Sequence, residues 1–157
     1  MKKKIVILGS TGSIGSTLIK IILKDKNKFD IKLLTAEKNY KKLINQAKLL
    51  NVKNIIISNK KVYQNIIKKK NKYNFKIHND FKKLDKIIKT KIDYSMCSIS
   101  GLSGLRPTFE IIKHSKTVAI ANKESIICAW NLIQRRLNKY KTEFIPVDSE
   151  HFSIWSL

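Results

Sequence analysis

Residues Ile5 to Gly15 read IVILGSTGSIG, an apolar run opening directly into a glycine-rich loop. The run, with Lys4 at its start, has the character of a short strand buried on both faces of a parallel sheet. After the loop, Ile14, Leu18, Ile21 and Ile22 recur at helical spacing and predict a helix. A glycine loop between a first strand and a first helix is where a phosphate-binding turn belongs. Glycines let the backbone turn tightly and approach a pyrophosphate, while the helix start offers unpaired N–H groups and partial positive charge. Thr11 and Ser13 add hydroxyls able to bond phosphate oxygens. The spacing is G-x-x-G-x-x-G rather than the commoner G-x-G-x-x-G, and a plain strand-to-helix turn is the bland alternative. Its place at the head of an alternating pattern favours a dinucleotide.

That alternation runs outward along the whole chain. DIKLLTA (Asp30 to Ala36) reads as strand, Tyr40 to Leu50 as helix, NIIIS (Asn54 to Ser58) as strand, and Lys60 to Lys70 as helix. FKIH (Phe75 to His78) is a short strand, followed by a helix over Phe81 to Ile88. DYSMCSI (Asp93 to Ile99), TVAIA (Thr117 to Ala121) and EFIPV (Glu143 to Val147) are strands, separated by helices at Leu105 to His114 and Glu124 to Leu137. Strand–helix repetition with short connections implies an α/β, Rossmann-like doubly wound sheet with helices on both faces, joined by right-handed crossovers. No repeat, flexible linker or composition break divides it.

The composition suits such a domain. At 157 residues and 43% apolar content the chain can bury a self-sufficient core. No apolar run approaches the ~20 residues of a membrane span. The basic start MKKK precedes only four apolar residues, too few for a signal peptide, so a soluble cytoplasmic protein is expected. The net charge of +22 comes from 33 basic residues, of which only Arg106, Arg135 and Arg136 are arginines. Lysines scattered among Asn and Ile look like biased codon supply filling exposed positions. The stretch Lys60 to Lys76 interleaves lysines with Tyr63, Tyr73 and Phe75, but they fall on several sides of the pattern and no nucleic-acid-reading motif accompanies them. Nucleic acid is therefore not the expected partner. Cys97 and Cys128 have no metal-ligand spacing and are read as small apolar core residues.

Three further clusters follow strand ends, where ligands of open α/β sheets bind. After the second strand, Glu37 suits a ribose 2′-hydroxyl and Lys38 a 2′-phosphate, so the residues alone leave NAD against NADP open. In ANKES (Ala121 to Ser125), Lys123 can hold an anionic oxygen or polarise a carbonyl. Asn122 and Glu124 read equally well as an N-cap and a dipole-favourable helix start. In PVDSEH (Pro146 to His151), Asp148 and Glu150 project to one side of an extended backbone and can converge on a hard divalent cation, Mg²⁺ or Mn²⁺. His151 is read as a packing or hydrogen-bonding residue.

Together ILGSTGSIG, ANKES and PVDSEH, in that order and spacing, resemble the 1-deoxy-D-xylulose 5-phosphate reductoisomerase family. The resemblance covers the whole chain and places an NADPH-binding domain at residues 1–146 and the beginning of a truncated catalytic, metal-binding domain at 147–157. It implies an NADPH- and divalent-metal-dependent rearrangement and reduction of a phosphorylated sugar to 2-C-methyl-D-erythritol 4-phosphate, in isoprenoid precursor synthesis. Carried over by motif, Thr11, Gly12, Ser13, Ile14, Lys38, Asn39, Asn122 and Glu124 bind NADPH. Lys123, Ser149 and Glu150 bind substrate, Asp148 and Glu150 hold the metal, and Lys123, Asp148 and Glu150 form the catalytic set.

Two departures from the family pattern carry expectations of their own. Where the family shows A-G-x-N after the second strand, this chain has Ala36-Glu37-Lys38-Asn39, and the extra carboxylate is expected to weaken the preference for NADPH. The family also continues well beyond Leu157, through a third carboxylate ligand, a substrate-phosphate pocket, a closing loop and a helical domain. Asp148 and Glu150 alone are thus expected to hold Mg²⁺ feebly, and the family's homodimer is not expected of this chain. A non-catalytic nucleotide-binding remnant is the alternative reading. A semialdehyde-type dehydrogenase is disfavoured, because Cys97 and Cys128 fall in a predicted strand and helix rather than an active-site loop.

Overall fold

The computed structural model describes residues 1–69 and 73–147. The strands are β1 (Lys3–Leu8), β2 (Phe29–Ala36), β3 (Asn54–Ile57), β4 (Lys76–His78), β5 (Ile92–Cys97), β6 (Ser115–Ile120) and β7 (Glu143–Pro146). Between them lie the helices α1 (Ser13–Lys24), α2 (Tyr40–Leu49), α3 (Lys60–Lys68), α4 (Leu84–Ile87), α5 (Leu105–Ile112) and α6 (Lys123–Tyr140). Every strand pair is parallel, in the order β4-β3-β2-β1-β5-β6-β7. The chain winds outward from β1 to β4, returns to lay β5 against the free side of β1, and winds outward again. This is the expected Rossmann-like, doubly wound sheet.

The apolar runs become the central strands because both sides of them are covered. Ile5 and Ile7 face a core shared with Ile19, Ile22, Leu43 and Ile66, beneath α1, α2 and α3. Val6 and Leu8 face the other core with Leu84, Ile111, Ile133 and Leu137, beneath α4, α5 and α6. Each such Ile or Leu taken fully from water contributes about 1.5–3 kcal/mol. Among the described residues no helix is long and apolar enough to cross a membrane.

Two local expectations are corrected, and the structure sets the rotation of α1. In α1 the buried residues are Gly15, Ile19 and Ile22, while Ile14 and Ile21 are 40% and 55% exposed. The apolar spacing permitted either stripe; the need to press Gly15 onto the loop selects the rotation. The helix predicted over Phe81 to Ile88 shrinks to the single turn of α4, because Asp80 accepts from the Lys82 amide at 2.9 Å in a local turn that competes with helix. Cys128 is exposed rather than buried, since α6 turns Ser125, Ala129, Ile133 and Leu137 inward at four-residue spacing.

Cys97 does lie in the core, at the end of β5, and burial pushes its thiol up to about 12 against a Thr108 hydrogen bond that pulls it down. Alkylation of the native protein at pH 8 is therefore expected to modify Cys128 readily and Cys97 only after denaturation, as read by mass spectrometry of the two cysteine peptides. Comparable rates at both would mean that the end of β5 is open.

Candidate functional site

At the β1–β5 boundary the chain leaves in opposite directions, β1 toward β2 and β5 toward β6, and the strand ends part into a crevice. Gly9 turns the chain there with φ +82°, a left-handed conformation, and a Cβ on it would come within 2.7 Å of the Ser98 carbonyl oxygen at the end of β5. The Gly12 amide donates to the Gly9 carbonyl at 3.1 Å, closing the turn. Gly15 lets the first turn of α1 rest on the loop: a Cβ there would collide with the Gly9 carbonyl oxygen and approach the Ser10 Cα to 2.6 Å.

The loop is also held from beneath. Ser10 is fully buried; its hydroxyl donates to Gln46 Oε1 at 2.8 Å, and Gln46 Nε2 donates to the Ser10 carbonyl at 2.9 Å. The Ser10 amide donates to the Thr35 carbonyl, and the Gly9 amide to Thr35 Oγ1, each at 2.9 Å. Sequence reasoning missed this clamp. Its one signal was a glutamine on the apolar stripe of α2, beside Leu43 and Ala47.

The first turn of α1 faces outward without a side-chain cap: Gly12 is its N-cap, in extended backbone, and no acidic residue occupies the turn. A helix start of this kind presents unclaimed N–H groups and partial positive charge, a receptor for an anion. Thr11 and Gly12 line the crevice and Ser13 and Ile14 begin the exposed turn beside it. The crevice encloses about 380 Å³. Its walls include Thr35, Ala36 and Glu37 from β2, Ser58 after β3, Phe81, and Ser98, Ile99, Ser100, Ser103, Arg106 and Pro107 on the β5–α5 side.

At the β2 tip, Lys38 and Glu37 form a loose ion pair at 3.7 Å, with side chains 70% and 67% exposed. Screening leaves a pair this exposed with little energy, so both remain available to a ligand. Asn39 caps α2 by accepting from the Lys42 amide at 3.2 Å, and Lys42 Nζ donates to the Thr11 carbonyl at 3.0 Å. The β2 tip and the glycine loop are thereby tied together.

ANKES occupies the end of β6, one strand further across. Asn122 is 2% exposed. Its Oδ1 accepts from the Ser125 amide at 2.5 Å, capping α6, while Nδ2 donates to the carbonyls of Ile99 at 2.5 Å and Gly101 at 2.8 Å. Its side chain is thus committed to holding the β5–α5 loop. Lys123 and Glu124 stand exposed in the first turn of α6, outside the walls of the crevice. Asp148, Ser149, Glu150 and His151 lie outside the described residues, among which no cluster of three His, Cys, Asp or Glu residues could hold a metal.

The family model for 1-deoxy-D-xylulose 5-phosphate reductoisomerase matches residues 5–130. The chain is 61% identical over 157 residues to the reductoisomerase of Pelagibacter ubique (strain HTCC1062), covering 99% of this chain and 40% of that protein. It is 35% identical over 156 residues to that of Wolbachia pipientis subsp. Culex pipiens (strain wPip), again covering 99% and 40%. It therefore spans about 40% of the length of these curated relatives. Among solved structures it superposes on the Zymomonas mobilis reductoisomerase in complex with NADPH with TM-score 0.86 and 31% identity, over 96% of this chain and 40% of that one. A DOX-P reductoisomerase in complex with NADPH, fosmidomycin and magnesium gives TM-score 0.84 and 29% identity, over 95% and 37%. Homoserine dehydrogenase of S. aureus, at TM-score 0.51 and 18% identity, shares the fold alone. On the matched sequence and on the glycine loop seated at the switch of this sheet, the chain belongs to the 1-deoxy-D-xylulose 5-phosphate reductoisomerase family.

Proposed function

We propose that residues 1–146 are the NADPH-binding domain of a reductoisomerase that converts 1-deoxy-D-xylulose 5-phosphate to 2-C-methyl-D-erythritol 4-phosphate, and that residues 147–157 begin its catalytic domain. The observation carrying this is the position of the glycine loop: an uncapped helix start, seated by two glycines whose Cβ atoms would clash, opens onto the crevice between β1 and β5. A pyrophosphate fits there, accepting from the amides of Ser13 and Ile14 and passing close over Gly12, which has no side chain in the way, with the Thr11 hydroxyl beside them. The adenosine half extends toward β2, where Lys38 and Asn39 meet the ribose. The nicotinamide half extends toward β6, where Glu124 stands and Asn122 acts by holding the β5–α5 loop in place.

Lys123, Ser149 and Glu150 bind the phosphorylated sugar in this reading, and Asp148 and Glu150 offer the oxygen donors that Mg²⁺ or Mn²⁺ prefers. A divalent ion held there supplies Lewis-acid polarisation of the substrate's oxygens. Lys123 adds a positive charge at the mouth of the site, orienting an anionic substrate toward the nicotinamide side. The reaction itself is proposed for the polypeptide of family length, to which these residues contribute the cofactor half. A cytoplasmic setting accords with soluble NADPH and sugar-phosphate pools.

Titration with NADPH, followed by its fluorescence, is expected to saturate and to show weaker binding of NADH. No saturable binding of NADPH at millimolar concentration would overturn the proposal. Binding of NADPH by the protein from its natural source, without reductoisomerase turnover, would leave a nucleotide-binding module in its place. The carboxylate of Glu37 stands at the β2 tip, where a 2′-phosphate is expected, so Glu37→Gly should tighten NADPH by about two- to fivefold. An unchanged Kd in that variant would show that the carboxylate is too well solvated to matter.

A further inference from the structure

Arginine is scarce in this chain, three residues among 33 basic ones. One of them, Arg136, has a structural occupation: it pairs with Glu110 at 3.4 Å and stacks over Phe109 at 4.1 Å. Arg106 is different. It stands exposed in the first turn of α5 and lines the nucleotide crevice together with Thr35, Ala36 and Glu37 from the β2 side. Among the described residues it has no hydrogen bond, ion pair or ring contact. Its guanidinium brings a delocalised charge and five N–H donors to a cavity whose other wall carries a carboxylate.

Glu37 repels a phosphate placed at the β2 tip, and the neighbouring Lys38 is loosely paired with that carboxylate and mostly solvated. A dinucleotide carrying a 2′-phosphate needs a further cation there, and the planar fork of an arginine matches a phosphate monoester in a two-point contact. We infer that Arg106 is a specificity-determining residue which reaches across the crevice to the adenosine 2′-phosphate, offsetting Glu37 and preserving selection of NADPH over NADH. The inference rests on the proposed NADPH site and adds to it a residue outside the three sequence motifs.

The test is competition binding of 2′,5′-ADP and 5′-ADP, alongside direct titration of NADPH and NADH, in the parent, Arg106→Leu and Arg106→Lys. The leucine variant is expected to lose about 10- to 100-fold in affinity for NADPH and 2′,5′-ADP, with less than threefold change for NADH and 5′-ADP. Lysine should restore part of the loss, since it keeps the charge without the fork. Because Arg106 has no partner among the described residues, the melting temperature should be unchanged. Equal weakening of phosphorylated and unphosphorylated ligands would overturn the inference in favour of general packing, and no weakening would overturn it outright. A parent that saturates with NADPH while Arg106→Leu behaves identically sinks only the role of Arg106; a parent that binds neither dinucleotide sinks the cofactor site and this inference together.

Discussion

Gly15→Val is expected to abolish NADPH binding and to destabilise the domain by about 3 kcal/mol or more, with Gly15→Ala costing about 1–3 kcal/mol. Intrinsic propensity points the other way, because alanine in a helix is worth about 1 kcal/mol over glycine. The contact decides the sign. A Cβ at Gly15 meets the Gly9 carbonyl oxygen and the Ser10 Cα, the latter at 2.6 Å, and both are backbone atoms with no rotamer to yield. The Gly9–Ser10 segment is itself pinned to Thr35 and Gln46, so the strain must lift the start of α1 away from the loop. That start is where the pyrophosphate is proposed to sit. Urea denaturation and NADPH titration of both variants provide the check. An alanine variant as stable as the parent, with unchanged affinity, would show that α1 is not seated on the loop in this way.

Asn122→Ala is expected to cost about 2–4 kcal/mol, combining a lost helix cap with two carbonyls deprived of their donor. The side chain is buried and serves three backbone groups at once: the Ser125 amide, the Ile99 carbonyl and the Gly101 carbonyl. Asn122→Asp separates the roles. It keeps an acceptor for the cap but turns an oxygen toward two carbonyl oxygens, so its loss should equal or exceed that of alanine. Since Ile99 and Ser100 line the crevice, NADPH affinity should fall in both variants. A cost below 1 kcal/mol for alanine, with affinity intact, would place the anchoring of the β5–α5 loop elsewhere.

The fold was legible because buried parallel strands write themselves as apolar runs. Val6 to Leu8 and Ile55 to Ile57 are fully buried, and runs this short, rich in β-branched residues, fit strands covered on both faces better than helices. The places of the glycine loop and ANKES in the fold were legible for a related reason, since each lies directly after a strand. Helix rotation was not. Helical spacing in α1 did not say which of its apolar residues face the sheet, and the burial of Ile19 and Ile22, with Ile14 and Ile21 outward, depended on packing Gly15 against backbone that leaves β1. Cys128 shows the same limit, its exposure set by which side of α6 meets the sheet.

For this protein the sequence by itself determined the order and type of the strands, the parallel sheet they imply, and the loop that opens the proposed nucleotide site. Only the tertiary structure decided which polar side chains serve that site. It joined Ser10 to Gln46 across 36 positions, tied Asn122 to Ile99 and Gly101, and set Arg106 on the same crevice as Glu37. The physical reason is the crossover connection. Parallel strands bring together loops separated by a whole helix and strand, so these partners share no local spacing and meet only when the sheet is assembled.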